Sequence, residues 1–295
     1  MKNIITKYFE FVNLEKAGID EFLSAYDKLF GNENAKSKIL EALEVYEKDY
    51  KCDLRSLVNG VKETAKLIGV NEYTANALTY ILMLPSLKKH YESLNYSQEI
   101  LKSSVKDVYY HIKNCKNIKG VWGTFTDWHA HLWNLEVFGF GRLQIMPMMA
   151  DFDFNNSELV VKKGQTILDI HIPRTETPLD EQECEESYKL AVSFFKDKLI
   201  GAPIVFRCSS WLLFEKHYEI LKPTSNIYKF IKRFKNLQFG LYNHYRIVSR
   251  LFDMDYTGNP DDLPADSSLR REYIKLIKNG ENLGYGTGYF NYQDN

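Results

Sequence analysis

The sequence predicts an α+β protein: a helical N-terminal domain followed by a mixed α/β sheet domain. Three observations carry that expectation. Of the eight prolines, only Pro85 lies within the first 146 residues. Up to about residue 115, apolar side chains recur at spacings of three and four, the helical period. Past KNIKGVW (116–122) glycine, proline and β-branched residues rise, and alternating strand patterns interleave with helical ones. The domain boundary is therefore placed at 118/119, giving domains 1–118 and 119–295, in keeping with a 295-residue chain.

Each element can be justified from its residues. In 33–50, Ile39, Leu43 and Tyr46 share a helical stripe, as do Leu54, Leu57, Val61, Ala65 and Ile68 in 53–69. A helix over 71–84 opens on Asn71, a good N-cap, and stops before Pro85. Ser97 opens another, carrying Ile100, Leu101, Val105, Val108 and Ile112. The run 135–149 reads as a strand broken by Gly139 and Gly141, and 150–161 as strand, turn and strand. In QTILDIHI (165–172), Ile167, Asp169 and His171 point to one face, and Leu168, Ile170 and Ile172 to the other. Residues 180–199 read as an amphipathic helix, PIVFRC (203–208) as a buried strand, and 212–221 and 225–235 as helices. The glycine-rich tail reads as a terminal strand or loop.

Composition excludes several function classes. Net charge is −1 (38 basic, 39 acidic), so nothing draws the chain as a whole to nucleic acid or acidic lipid. No apolar run approaches membrane-spanning length, and the N-terminus lacks a signal-peptide core. Cys52, Cys115, Cys184 and Cys208 form no CxxC pair. The expectation is a cytoplasmic protein with reduced thiols and a small-molecule substrate.

FGRLQ (140–144), LDIHIP (168–173), CSSWLL (208–213) and SNIYKFIKRF (225–234) stand together in order and spacing. This set resembles the bacterial acyltransferase domain-containing family, in which a helical N-terminal domain precedes a GNAT-like C-terminal domain. The resemblance implies an N-acyltransferase: acetyl-CoA or another acyl-CoA as co-substrate, an amine acceptor, and direct attack on the thioester. It implies that the 165–172 strand meets the acyl-CoA and that the next turn and helix hold the pyrophosphate. Here that turn, RTETPLDEQ, has no glycine. Six acidic residues and one basic one lie between Arg174 and Ser187. A segment of that charge repels a diphosphate at close range. A binding protein that kept the fold without catalysis is the alternative.

Several side chains are candidates for the site. His171, with Asp169 two positions before it on one strand face, fits a general base and its charge partner. Cys208 and Ser210 end a strand where ligands gather, and Tyr218 is a remote candidate acid. Neither Ser209 nor Ser210 sits in a G-x-S-x-G elbow, which argues against a serine hydrolase. Seven basic and no acidic residues lie between Lys222 and Arg250. Lys229, Lys232, Arg233 and Lys235 among them are candidates for the anionic part of the donor. Arg142 and Gln144 alternate on one strand face, and Trp211 comes after the CSS string; these three are substrate-binding candidates. His129 and His131, in DWHAH, are substrate-binding candidates as well, and no metal is expected. Gly284, Gly286 and Gly288 spell GxGxG without the helix that a dinucleotide site requires after it.

Overall fold

The computed structural model describes residues 1–175, 177–200 and 203–293. Glu176, inside the acidic turn, lies outside the described residues. The chain forms two compact units, Met1–Gly139 and Phe140–Asn295.

The first unit holds helices α1 (Lys2–Val12), α2 (Lys16–Gly31), α3 (Glu33–Lys48), α4 (Leu54–Leu67), α5 (Glu72–Leu82), α6 (Leu84–Ser93), α7 (Gln98–Lys119) and α8 (His129–Trp133). Side chains of Asn32, Asp53, Asn71 and Ser97 accept backbone N–H groups that open α3, α4, α5 and α7. Pro85 sits in the first turn of α6, where a missing N–H leaves no bond unmade. Gly120, in left-handed conformation, closes α7. The compositional shift at 116–122 thus marks the end of a helix. The packing unit continues to Gly139, because side chains of the earlier helices hold the segment after α7 in place. Thr74 Oγ1 donates to the Trp122 carbonyl (2.9 Å), Asn76 Nδ2 to that of Thr124 (2.9 Å), and Tyr46 Oη to that of Trp133 (2.8 Å). No helix among the described residues is long and apolar enough to cross a membrane.

Next come β1 (Phe138–Phe140), β2 (Leu143–Met149), β3 (Phe154–Asn155), β4 (Val160–Val161), β5 (Thr166–His171), α9 (Glu181–Phe195) and β6 (Ile204–Ser210). The chain ends with α10 (His217–Ile220), α11 (Asn226–Ile231), β7 (Lys235–Tyr242), α12 (His244–Phe252), α13 (Ser268–Lys278) and β8 (Leu283–Tyr292). One sheet has the order β1-β2-β5-β6-β8-β7. β5 and β6 are parallel, joined through α9; β2–β5, β6–β8 and β7–β8 are antiparallel.

The two sheet faces differ. Phe206, Phe290 and Tyr292 meet Tyr188 of α9, with ring centroids 4.8, 5.4 and 6.2 Å from it. On the other face Ile167, Val205 and Tyr289 form a cluster with Leu159 and Val161 beside the β3–β4 hairpin. The glycines of GxGxG belong to a strand. A methyl group on Gly286 would stand 2.3 Å from the Leu213 carbonyl oxygen, so the strand passes where only glycine fits. The basic helix expected over 225–235 stops at Ile231, and Lys235 already belongs to β7. Helices α12 and α13 have no counterpart in the expected elements. They bury Ile247, Val248, Phe252, Tyr273 and Ile277 in a cluster of their own.

Candidate active site

Strand alternation puts Asp169 and His171 on one face of β5, and the structure brings them together. His171 Nε2 lies 3.2 Å from Asp169 Oδ2. Register supplies a third member. Asp169 pairs with Arg207 across the parallel β5–β6 ladder, so their side chains share a face. Arg207 Nη1 donates to Asp169 Oδ1 at 2.6 Å. The Asp169 side chain is 5% exposed, so this is a mostly buried carboxylate with a cation on one oxygen and an imidazole on the other. Burial draws the Arg207 guanidinium down. The Asp169 charge, with hydrogen bonds to Asp169 and Tyr289, more than offsets it, and the guanidinium stands above its ordinary pKa.

Neighbouring strands extend this polar face. Gln144 of β2, buried, stands opposite His171 in register. Ser209 lies two residues beyond Arg207, and its Oγ accepts from Thr287 Oγ1 of β8 at 2.8 Å. The β5–β6 ladder runs through three pairs and ends at Ile170–Cys208. Beyond that pair the strands lead to His171 on one side and to Ser209 on the other. An imidazole, an amide and a hydroxyl therefore gather on one sheet face around the end of the β5–β6 ladder.

Other expected residues stand elsewhere. Cys208 pairs with Ile170, on the face opposite Asp169, and is fully buried. Burial pushes its thiol well up, with the Asp169 charge adding to the shift, so a thiolate nucleophile is disfavoured. Ser210, on that same opposite face, accepts the Leu212 N–H and caps the turn at 211–213. Tyr218 Oη donates to the Ile231 carbonyl at 3.1 Å. Trp211, half-buried, packs edge-on against His217 and Tyr273. Arg142 donates to the carbonyls of Pro178 (3.0 Å) and Pro173 (3.3 Å), tying down the loop after β5.

Three side chains of the basic segment are paired, two of them with the acidic one. Lys229 lies 3.6 Å from Glu181, Arg233 lies 2.7 Å from Glu185, and Lys235 lies 3.2 Å from Glu158. Arg233 also covers the rings of Tyr188 and Phe290. Lys232 is exposed. The N-terminus of α9, the expected place of a pyrophosphate, carries its own anion. The Asp180 carboxylate accepts from the N–H groups of Gln182 (2.9 Å) and Glu183 (3.3 Å). Arg174, the basic residue of the turn, pairs with Asp253 at the end of α12 and donates to the carbonyls of Ser249 and Arg250.

His129 and His131 belong to the helical unit and ride on α8. The H-x-H pair is on a helix, where positions two apart diverge. His131 bonds Arg55 (2.7 Å) and Glu136 (2.5 Å) at the surface, whereas His129 is fully buried. Burial first, then the neighbouring His111, lowers the His129 pKa to about 3, so its ring is neutral.

A family model for the GNAT-like C-terminal domain matches residues 137–290, just over half of the chain. The chain belongs to the GNAT-like C-terminal domain family. Solved structures resemble this family member over almost its whole length. One, an acyltransferase in complex with decanoyl-CoA and teicoplanin, superposes with a TM-score of 0.75 at 19% identity, covering 98% of this chain and 87% of that one. A second, in complex with CoA and 10C-teicoplanin, gives 0.75 at 18% with the same coverage. A third, with decanoyl-CoA, gives 0.69 at 18%, again with the same coverage. At such identities the likeness establishes the GNAT-like fold behind a helical N-terminal region. No curated protein matches the chain.

The sequence reading missed Arg207 and Ser209, although a signal for them exists. Val205, Arg207 and Ser209 alternate apolar, charged and polar, as do Ile167, Asp169 and His171. Aligning the two triplets in parallel puts Arg207 beside Asp169 and turns Cys208 and Ser210 away.

Proposed function

We propose that this protein is an acyltransferase that takes an acyl group from acyl-CoA to an amine on a small molecule. The observation that carries the reading is the Arg207–Asp169–His171 group at the last pairs of the β5–β6 ladder. Arg207 holds one oxygen of Asp169, and the other oxygen stands beside His171. With the proton on Nε2, the nitrogen nearer Asp169, Nδ1 is the accepting atom. The acceptor nitrogen attacks the thioester carbonyl carbon, His171 takes the proton this nitrogen sheds, the C–S bond breaks, and that proton passes to the departing thiolate, directly or through water, to release CoA as its thiol. No covalent acyl-enzyme is needed, in accord with the buried thiol of Cys208.

The donor's phosphates sit away from the N-terminus of α9, because Asp180 occupies its N–H groups. Arg246 and Arg250, exposed on α12 and stacked on Tyr242 at 4.1 and 5.9 Å, are the better anchors. Arg174 connects that helix to the end of β5. Decanoyl-CoA and teicoplanin, the ligands in the complex of a similar solved acyltransferase, are the first ligands to try.

Calorimetry with acetyl-, octanoyl- and decanoyl-CoA tests the reading. Binding tighter than about 100 μM to one of them supports it. The absence of heat with all three favours the second reading, a binding protein that kept the fold; the acid-capped α9 is the observation on its side.

A further inference from the structure

Outside the Arg207–Asp169–His171 group, one cluster of side chains has the composition and spacing of a metal site. Asp107 and His111 lie four residues apart on α7, which puts both on one helix face. His129, in the first turn of α8, faces them. One donor atom from each lies within 4.8 Å of the other two. Asp107 Oδ2 is 3.3 Å from His111 Nε2 and 3.9 Å from His129 Nε2. Two ligands bound tetrahedrally at about 2.0–2.2 Å stand roughly 3.3–3.6 Å apart, so the three donors need only small shifts to share one ion.

A second observation is independent of that spacing. His129 has no exposed surface, and neither of its ring nitrogens has a hydrogen-bond partner. A buried imidazole with both polar atoms unmet is unfavourable, because folding strips its water and returns no partner. Its Nε2 points at the Asp107 carboxylate, which is itself 3% exposed. The ring is walled by Tyr80 (5.5 Å) and Trp133 (6.4 Å), and meets His111 edge-on at 5.0 Å. His111 is 29% exposed, which leaves an approach for the ion and for one water.

We propose that Asp107, His111 and His129 bind a divalent transition-metal ion of the zinc type. Two imidazoles and one carboxylate suit zinc, or iron(II) and manganese(II), better than calcium or magnesium. The ion clips α7 to α8 and gives His129 the partner it otherwise lacks. The site is separate from the acyl-transfer reading and stands whether or not that reading holds.

The test uses the full chain, stripped with a chelator and titrated with Zn²⁺ alone. Metal is counted by atomic emission, and thermal unfolding is monitored with and without the ion. One equivalent per chain and a raised melting temperature are expected. Asp107→Asn and His111→Ala are each expected to weaken zinc at least tenfold while unfolding at the wild-type temperature in chelator. His111 is partly exposed, so its variant keeps the test usable if a change at His129 prevents folding. Wild type that binds less than about a tenth of an equivalent at micromolar zinc overturns the proposal. So do variants that bind as tightly as wild type, since the zinc then sits on other residues.

Discussion

Arg207 donates to Asp169 across a parallel strand pair at 2.6 Å, while the second oxygen of the same carboxylate lies 3.2 Å from His171. Removing the cation leaves a carboxylate buried with a lone imidazole beside it. Arg207→Met is therefore expected to lower stability by about 3 kcal/mol, read from the denaturant midpoint. Turnover falls too, since nothing then holds the Asp169 carboxylate in place beside His171. An unchanged midpoint contradicts this account of the pair.

His217 makes stability depend on pH. It is fully buried, with Nδ1 bonded to the Leu212 carbonyl (2.8 Å) and Nε2 to the Tyr273 hydroxyl (2.8 Å). Burial first lowers its pKa to about 4, and the Leu212 carbonyl offsets only part of that. An unfolded histidine titrates near 6.5, so below that pH the unfolded chain binds a proton the folded one refuses. Stability contributed by His217 is present above about 6.5 and falls with pH down to about 4. Between pH 6.5 and 5 the loss is about 2 kcal/mol. His217→Gln is expected to flatten the pH profile over that window; a profile as steep as wild type contradicts the assignment.

The legible and hidden parts of the site differ in kind. Asp169 and His171 share a face because strands alternate with period two, a property written within a single short string of residues. Their partnership with Arg207 depends on how β5 registers against β6, 38 positions further on. Local pattern does not fix parallel register, and a one-residue slip exchanges Arg207 and Ser209 for Cys208 and Ser210. Tertiary pairing likewise decides the charges. Lys229 and Arg233 look available in the sequence, but Glu181 and Glu185 of α9 stand beside them in the fold. DWHAH is ambiguous because H-x-H suits a strand, while a single helical turn has little periodicity to display.

The Asp180 cap gives a prediction about the donor. Asp180→Asn keeps the cap and removes the charge, so stability stays within about 0.5 kcal/mol. With the phosphates held elsewhere and one anion fewer on the domain, acyl-CoA affinity holds or rises slightly, as measured by calorimetry. A clear fall contradicts a donor held away from the N-terminus of α9.

Gly286 concerns the sheet itself. Gly286→Ala pushes a methyl group against the Leu213 carbonyl, and backbone cannot swing aside as a long side chain does. A loss of about 1–3 kcal/mol in the unfolding free energy is expected. A wild-type melting temperature shows that the two segments sit further apart than described.

The most direct test of the central claim is the rate of CoA thiol release from acyl-CoA, with a panel of amine acceptors, in wild type and His171→Ala. A general base contributes a factor of about 10² to 10⁴, so the variant is expected to fall by that much. Its acyl-CoA affinity is expected to stay within about twofold of wild type. Equal rates in the two proteins contradict the claim that His171, set by Asp169 and Arg207, takes the proton.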